Sequence, residues 1–140
     1  MKQFILWLAL FVALYAGCSG AYHLYLTRHP RRIFVAVDTS FPMRVVWSQV
    51  PNVLATLQKR PYTVFKLVTD KVLVHNWQRE LRLQTGQPYA PRDLTPLFAS
   101  PYAAEVAAAD AGYLITNATD LPPVPARRHW QVLQLTPTSP

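Results

Sequence analysis

The chain has little cysteine, glycine or acidic charge. It contains a single cysteine, Cys18, among 140 residues, so an intrachain disulfide and a CxxC metal or redox site are both excluded. Of its 4 glycines, only Gly86 and Gly112 lie beyond residue 32. They form no G-x-G-x-x-G or Walker loop, and this excludes a glycine cradle for nucleotide phosphates.

Basic charge is concentrated near the amino terminus. The 14 Lys and Arg residues against 7 Asp and Glu residues give a formal net charge of +7. Residues 1–32 hold four of the basic residues and no acidic one, which leaves 10 against 7 in the rest of the chain. That remainder is too weakly basic to indicate nucleic-acid binding. The concentrated charge instead lies beside an apolar segment, where lipid headgroups would be its counter-charge.

The apolar segment covers residues 4–26 and carries no charged side chain. A helix rises about 1.5 Å per residue, so this length can cross a hydrocarbon core of about 30 Å. We therefore predict a transmembrane anchor at 1–27 and a basic collar at 28–32. The residues predicted to contact lipid or neighbouring helices are Phe4, Leu6, Leu10, Ala13, Ala16, Gly17, Gly20, Tyr22 and Tyr25, and those predicted to contact headgroups are Arg28, Arg31 and Arg32.

Two other interpretations of this segment stay open. Lys2, the apolar residues 4–16 and the small residues after them also fit a cleaved signal peptide. Residues 14–18 are similar to a bacterial lipoprotein box, which would make Cys18 a lipidation site. The arginines after the segment favour a cytoplasmic domain, whereas the signal-like start favours export. We predict a single pass in a bacterial inner membrane with the domain on the periplasmic side.

The remaining chain alternates between strand and helix patterns. Apolar runs rich in β-branched and aromatic residues predict strands at 33–37, 62–69, 72–77, 113–115 and 130–135. Helical spacing predicts one helix between 43 and 60, kinked or started by Pro51, and another from Ser100-Pro101 that ends at Gly112. The expected fold is an α/β domain at 33–136 with a small, mostly parallel sheet, an antiparallel edge hairpin and a tail at 137–140.

Asp38-Thr39-Ser40 ends the first predicted strand, a hairpin follows, and residues 114–117 read Leu-Ile-Thr-Asn. Over about residues 32–136 this order resembles a shortened von Willebrand factor A-like domain. The resemblance implies a divalent metal above the sheet, held by a D-x-S-x-S motif, a loop threonine and a later aspartate. Asp38 and Ser40 match that motif, whereas Pro42 replaces its second serine and Asn117 replaces the aspartate.

The resemblance thus implies a degenerate metal site and a protein-interaction module that uses the same end of the sheet. The carboxylates form no paired motif in the sequence, and we predict no enzymatic activity and no cofactor. The first hypothesis is an accessory subunit that tethers or stabilises a membrane complex, with integral membrane subunits and lipid as partners. The alternative is a metal-dependent binding or assembly factor in which Asp38, Ser40 and either Thr95 or Thr116 hold Mg²⁺ or Ca²⁺.

Overall fold

The computed structural model describes residues 2–83, 86–98, 102–121 and 130–137. The chain divides into two compact units, Met1–Pro30 and Arg31–Pro140. The first unit consists mainly of one helix, α1, at Lys2–Arg28. None of the residues of α1 is buried, and the helix is long and apolar enough to cross a membrane. A secretory signal sequence would share these properties.

The second unit is built on one five-stranded sheet. Its strands are β1 (Arg31–Val37), β2 (Thr63–Thr69), β3 (Leu73–Gln78), β4 (Ala111–Thr116) and β5 (Trp130–Gln134). They lie in the order β3-β2-β1-β4-β5, in which β3 is antiparallel to β2 and the other pairs are parallel. The predicted α/β class and the antiparallel hairpin are confirmed.

Helices cover both faces of this sheet. Two short 3₁₀ segments, Phe41–Val45 and Trp47–Gln49, lead into α2 (Val50–Gln58). The opposite face packs against α3 (Thr95–Phe98) and α4 (Tyr102–Ala107). The core under α2 includes Ile33, Val35, Val37, Leu54, Phe65, Leu67 and Ile115, and the core under α3 and α4 includes Phe34, Ala36, Val68, Leu97 and Leu114. Both faces of β1 are therefore buried, which explains its uninterrupted apolar run.

The helix boundaries differ from the sequence-based prediction. Pro51 lies in the first turn of α2, where its missing N–H leaves no helical bond unmade, so it starts the helix and does not kink it. Gly112 does not end a helix, because α4 ends at Ala107 and Gly112 lies inside β4. A Cβ at Gly112 would meet the ring of Trp130 at 2.7 Å. Close packing of neighbouring strands therefore accounts for this glycine. The predicted N-cap and first residue at Ser100-Pro101 lie outside the described residues.

Candidate functional site

The carboxyl ends of β1, β2 and β4 bring polar side chains together. Asp38 follows β1, Asp70 follows β2, and Thr116 is the last residue of β4. β2 lies on one side of β1 and β4 on the other, so the chain order changes direction between β1 and β4. Open α/β sheets bind ligands at such switch points, beyond the carboxyl ends of the strands. We therefore take this end of the sheet as the candidate site.

Asp38 lies at the centre of the site and is fully buried. The backbone N–H of Ser40 donates to its Oδ1 at 2.9 Å. The hydroxyl of Thr116 donates to its Oδ2 at 2.7 Å, and Arg92 Nε donates to the same oxygen at 2.9 Å. Burial of a carboxylate is costly unless hydrogen-bond donors and an opposite charge compensate for the lost hydration. Here both come from the protein itself.

Arg92 connects three segments of the chain. Its guanidinium contacts Asp38 through Nε, and its Nη2 donates to the side-chain oxygen of Asn117. The amide nitrogen of Asn117 in turn donates to the carbonyl of Pro42 at 2.7 Å. The network thus joins the residues after β1, the residue after β4 and the loop that carries Arg92. It places a positive charge beside Asp38.

The proline-rich loop before α3 is fixed to the end of β1. Ser40 and Ala90 form a parallel bridge, and the N–H of Phe41 donates to the carbonyl of Ala90 at 2.9 Å. Arg44 Nε donates to the carbonyl of Pro88 at 3.0 Å. Tyr89 donates its N–H to Thr39 but leaves its own side chain exposed. In its described part, the proline-rich loop at 84–96 is therefore held by several hydrogen bonds and presents an aromatic side chain.

Asp70 forms a second buried anionic centre next to the first. Its Oδ1 accepts hydrogen bonds from the backbone N–H of Thr39, at 3.0 Å, and from the Thr39 hydroxyl. Lys71 Nζ lies 3.0 Å from Oδ2, a contact of opposite charges that lacks the alignment of a hydrogen bond. Lys71 also donates to the carbonyl of Pro91 at 3.3 Å. Asp70 and Lys71 therefore link the β2–β3 turn to the same loop.

A cavity of about 730 Å³ opens between the hairpin and this loop. Trp47, Val74 and Leu83 supply apolar walls, while His75 and Gln87 supply polar groups. Burial lowers the pKa of His75 below its ordinary value. The Arg82 N–H donates to its Nε2 at 3.4 Å, which also suits the neutral imidazole. His75 thus becomes protonated less readily than an ordinary histidine and forms part of the cavity wall.

Asp93 begins the turn that leads into α3. The backbone N–H of Thr95 donates to Asp93 Oδ1 at 3.0 Å. Hydrogen bonds from the side chain and the backbone of Thr95 lower the pKa of this exposed carboxyl below its usual range. The predicted loop ligand Thr95 is therefore engaged with Asp93, and its side chain is exposed.

The predicted metal ligands are only partly assembled. Asp38 and Thr116 are in contact, and Ser40 approaches Asp38 through its backbone N–H. The Ser40 hydroxyl is buried without a hydrogen-bond partner in the described structure. Over the described ranges, no group of three or more His, Cys, Asp or Glu side chains could hold a metal ion. The prediction of bound Mg²⁺ or Ca²⁺ stays a prediction.

The predicted membrane residues, among them Gly17 and Gly20, all lie on α1 and are exposed. Cys18, the alternative lipidation site, is also exposed. A Cβ built on either glycine meets no atom within 4 Å. Of the predicted headgroup residues, Arg28 ends α1, whereas Arg31 and Arg32 begin β1 and belong to the α/β unit. His129 and the proline cluster at 122–125 lie outside the described residues.

Sequence reasoning missed Arg92 and Asp70. A signal for Asp70 was present, because an aspartate directly after a parallel strand shares its sheet end with Asp38. No local pattern marks Arg92, which reaches Asp38 across 54 positions of the chain. Compared with known proteins, the chain matches no family model, no curated protein and no solved structure.

Proposed function

We propose that this chain is a non-enzymatic accessory subunit, anchored by α1 in a bacterial inner membrane, with its α/β unit on the periplasmic side. The anchor would pack against integral subunits of a larger complex. The α/β unit would tether or stabilise that complex by docking on its exposed part.

The observation that carries the proposal is the surface of α1. Large apolar side chains along the helix are between half and three-quarters exposed, among them Phe4 at 72%, Trp7 at 69% and Phe11 at 68%. Burial of apolar surface is worth about 25 cal/mol per Å², so a continuous apolar helix of this length is unfavourable in water. A bilayer, or other helices within it, removes that surface from water.

Small residues on α1 support contact with other helices. Ala13, Gly17 and Gly20 are spaced by four and then three residues, so they share one face. Nothing within 4 Å occupies the space beside either glycine. In membranes, small residues at such spacing let helix backbones approach closely.

The α/β unit supports a binding role. Its switch-point carboxylate, Asp38, is neutralised internally by Arg92, and the loop above it presents Tyr89, which is 61% exposed. Aromatic side chains held on a rigid support are typical of protein interfaces. The cavity beside this loop gives a partner both apolar walls and polar groups to contact.

The test is extraction of the tagged chain from its native membranes in mild detergent, followed by size separation and mass spectrometry of what comigrates. We expect stoichiometric comigration with integral membrane subunits. Migration as a single 15.9 kDa species under every mild detergent would contradict the accessory-subunit proposal.

A pair of variants makes this test specific to the small-residue face. Gly17→Ile combined with Gly20→Ile should abolish comigration while the chain stays in the membrane. Cys18→Ile is the matched control, because at about 100° per residue Cys18 lies about 100° from Gly17, about 140° from Ala13 and about 160° from Gly20 around the helix. It should keep the partners. Loss of membrane attachment in Cys18→Ile alone would instead indicate a lipidated cysteine.

The alternative, a metal-dependent binding or assembly factor, is favoured by one observation. The Ser40 hydroxyl is buried beside Asp38 without a partner, so one oxygen of a possible ligand set is uncommitted. Arg92 opposes this alternative, because its charge already neutralises Asp38. Thermal unfolding with added Mg²⁺ or EDTA separates the two proposals.

A further inference from the structure

We propose that the amino-terminal end of the sheet carries a binding surface for anionic lipid headgroups. This proposal rests on the membrane anchoring of α1 proposed above. We call the surface the basic edge, and it consists of Arg31, Arg32, Lys59, Arg60 and Arg79, all of which are exposed. All five belong to the unit that begins at Arg31.

The strand register brings these residues together from three parts of the chain. Arg31 pairs with Thr63 in the parallel β1–β2 ladder, and its N–H donates to the carbonyl of Tyr62 at 2.8 Å. Lys59 and Arg60 come just before Tyr62, so they reach the same end of the sheet. Two of the three segments of the basic edge are therefore hydrogen-bonded neighbours.

The antiparallel hairpin adds the third segment. Gln78, the last residue of β3, pairs with Phe65 near the start of β2. Arg79 follows Gln78, so the register places it level with Val64, near the amino end of β2. If β3 ran parallel to β2, its carboxyl end would lie beside Asp38, at the other end of the sheet. The antiparallel direction of β3 therefore accounts for the position of Arg79.

Among the described residues, no cation of the basic edge has a carboxylate at ion-pair distance. The ion pairs among the described residues join Lys66 to Glu105, Lys71 to Asp70, Arg82 to Glu80 and Arg92 to Asp38. None includes a residue of the basic edge. Asp110 lies at this end, where it accepts a hydrogen bond from the backbone N–H of Arg32 at 2.8 Å. Glu80 follows Arg79 but pairs with Arg82, so among the described residues the five cations of the basic edge outnumber the carboxylates at this end.

Aromatic rings hold two of these cations at the surface. The guanidinium carbon of Arg32 lies 5.8 Å from the centre of the Trp77 ring. That of Arg60 lies 4.9 Å from the Tyr113 ring, and its Nη1 donates to the Tyr113 hydroxyl. Cation–π contact leaves the charge of a guanidinium unneutralised. Both arginines therefore have an aromatic contact for the guanidinium and no carboxylate at ion-pair distance in the described structure.

Chain connectivity identifies lipid as the source of that anion. α1 ends at Arg28 and the basic edge begins at Arg31. Three residues of extended chain reach at most about 10 Å, which is close to the Debye length of about 8 Å at physiological salt. In an anchored chain, Arg31 therefore stays within little more than one Debye length of the end of α1, where part of the headgroup charge still acts on it. Clusters of four to eight basic residues on the cytoplasmic side of a span are typical of anionic lipid binding. The same attraction applies on the periplasmic side proposed above wherever that leaflet contains anionic lipid.

The test uses the full chain in nanodiscs of phosphatidylcholine alone or of phosphatidylcholine with phosphatidylglycerol. Hydrogen exchange is followed at 59–63 and 78–80 in the basic edge, and at 69–73 and 116–118 at the opposite end. We expect slower exchange in the anionic discs at the basic edge only, and we expect 0.5 M salt to abolish the difference because exposed charges are screened.

Charge variants connect the effect to these side chains. Arg31→Gln, Lys59→Gln and Arg79→Gln together remove three cations for which the described structure gives no side-chain contact. Each cation near an anionic surface is worth roughly fivefold in binding, so the triple variant should exchange alike in both disc types. Arg31→Lys, Lys59→Arg and Arg79→Lys together keep the charge and should behave as the parent. All three proteins should unfold at the same denaturant concentration.

Each adverse outcome has a distinct meaning. Equal exchange in the two disc types, or slower exchange at both ends of the sheet, would contradict headgroup binding by the basic edge. Neither result would affect the proposed membrane anchoring by α1. A chain that does not enter either disc would overturn the anchor and with it this proposal. Protection found in native membranes but in neither disc type would assign the edge to an acidic protein and overturn lipid binding.

Discussion

The two ends of the sheet treat charge in opposite ways. At the carboxyl ends of the parallel strands, Asp38 and Asp70 are buried and each contacts a cation of the same chain, Arg92 and Lys71. At the amino ends, the cations of the basic edge are exposed and have no carboxylate within ion-pair distance in the described structure. One end is electrostatically complete, whereas the other requires an external counter-charge.

This difference predicts that the charges at one end affect folding stability and the charges at the other end affect binding. Buried ion pairs are strongly destabilising when one partner is removed, because the other is left as an uncompensated charge. Exposed cations contribute little to folding and can act on whatever lies outside the protein. We therefore expect substitutions at the carboxyl end to change stability and equivalent substitutions at the amino end to change binding.

The largest expected effect follows from Asp38→Asn. The variant leaves the Arg92 guanidinium without its anion, and we expect a loss of about 3–5 kcal/mol in the free energy of unfolding. Denaturant unfolding of the full chain in detergent measures this. Arg79→Gln at the amino end is the control and should change the free energy by less than about 0.5 kcal/mol. Equal unfolding midpoints for the two variants would contradict the proposed difference between the two ends of the sheet.

A smaller effect tests what holds the amino end together in place of ion pairs. Trp130 begins β5 opposite Gly112, and its ring packs edge-on to Phe34 with centroids 5.9 Å apart. Gly112→Ala puts a Cβ at 2.7 Å from that ring, and we expect a loss of about 1–3 kcal/mol from overpacking. The same denaturant experiment measures it.

The companion variant for Gly112→Ala is a second substitution, Trp130→Leu. The smaller side chain removes the clash, so the alanine should then cost much less than in the parent background. An alanine penalty that is unchanged in the Trp130→Leu background would show that the close packing of these two strands is not its cause.

Much of this comparison was predictable from local patterns. The apolar run at 33–37 predicted β1 and hence the place of Asp38 at its end, and the pair of β-rich runs predicted the hairpin. Charge clustering predicted headgroup contact for Arg31 and Arg32, which stays a prediction. Each of these signals depends on residues within about one element of each other, which is the range over which sequence patterns are informative.

The remainder depends on contacts between distant residues. Arg92 reaches Asp38 only because the proline-rich loop bridges to Ser40 through Ala90. Lys59 and Arg79 meet at one edge only because β3 runs antiparallel to β2. Gly112 suggested a helix end because glycine often ends helices. The structure explains this glycine differently, since a tryptophan ring from the neighbouring strand leaves no room for a Cβ. The spacing of residues along the chain does not indicate which distant residues come into contact in the fold.

The smallest expected effect concerns the metal. Because Arg92 already neutralises Asp38, we expect the melting temperature of the full chain to be the same in 10 mM Mg²⁺ and in EDTA. A site with a dissociation constant near 1 mM would stabilise the folded state by about 1.4 kcal/mol under these conditions, a shift of several degrees for a domain of this size. Such a shift would favour the metal-dependent alternative.

Arg92→Gln sharpens this last test, because it removes the internal cation and keeps Asp38, Thr116 and the Ser40 hydroxyl in place. The remaining carboxylate is then buried without a counter-charge, which raises its attraction for any cation that can reach it. We therefore expect Mg²⁺ to stabilise Arg92→Gln more than the parent. If Mg²⁺ stabilises both proteins equally, the metal binds away from Asp38. If it stabilises the parent more, Arg92 assists a metal site, and the carboxyl end of the sheet is not electrostatically complete.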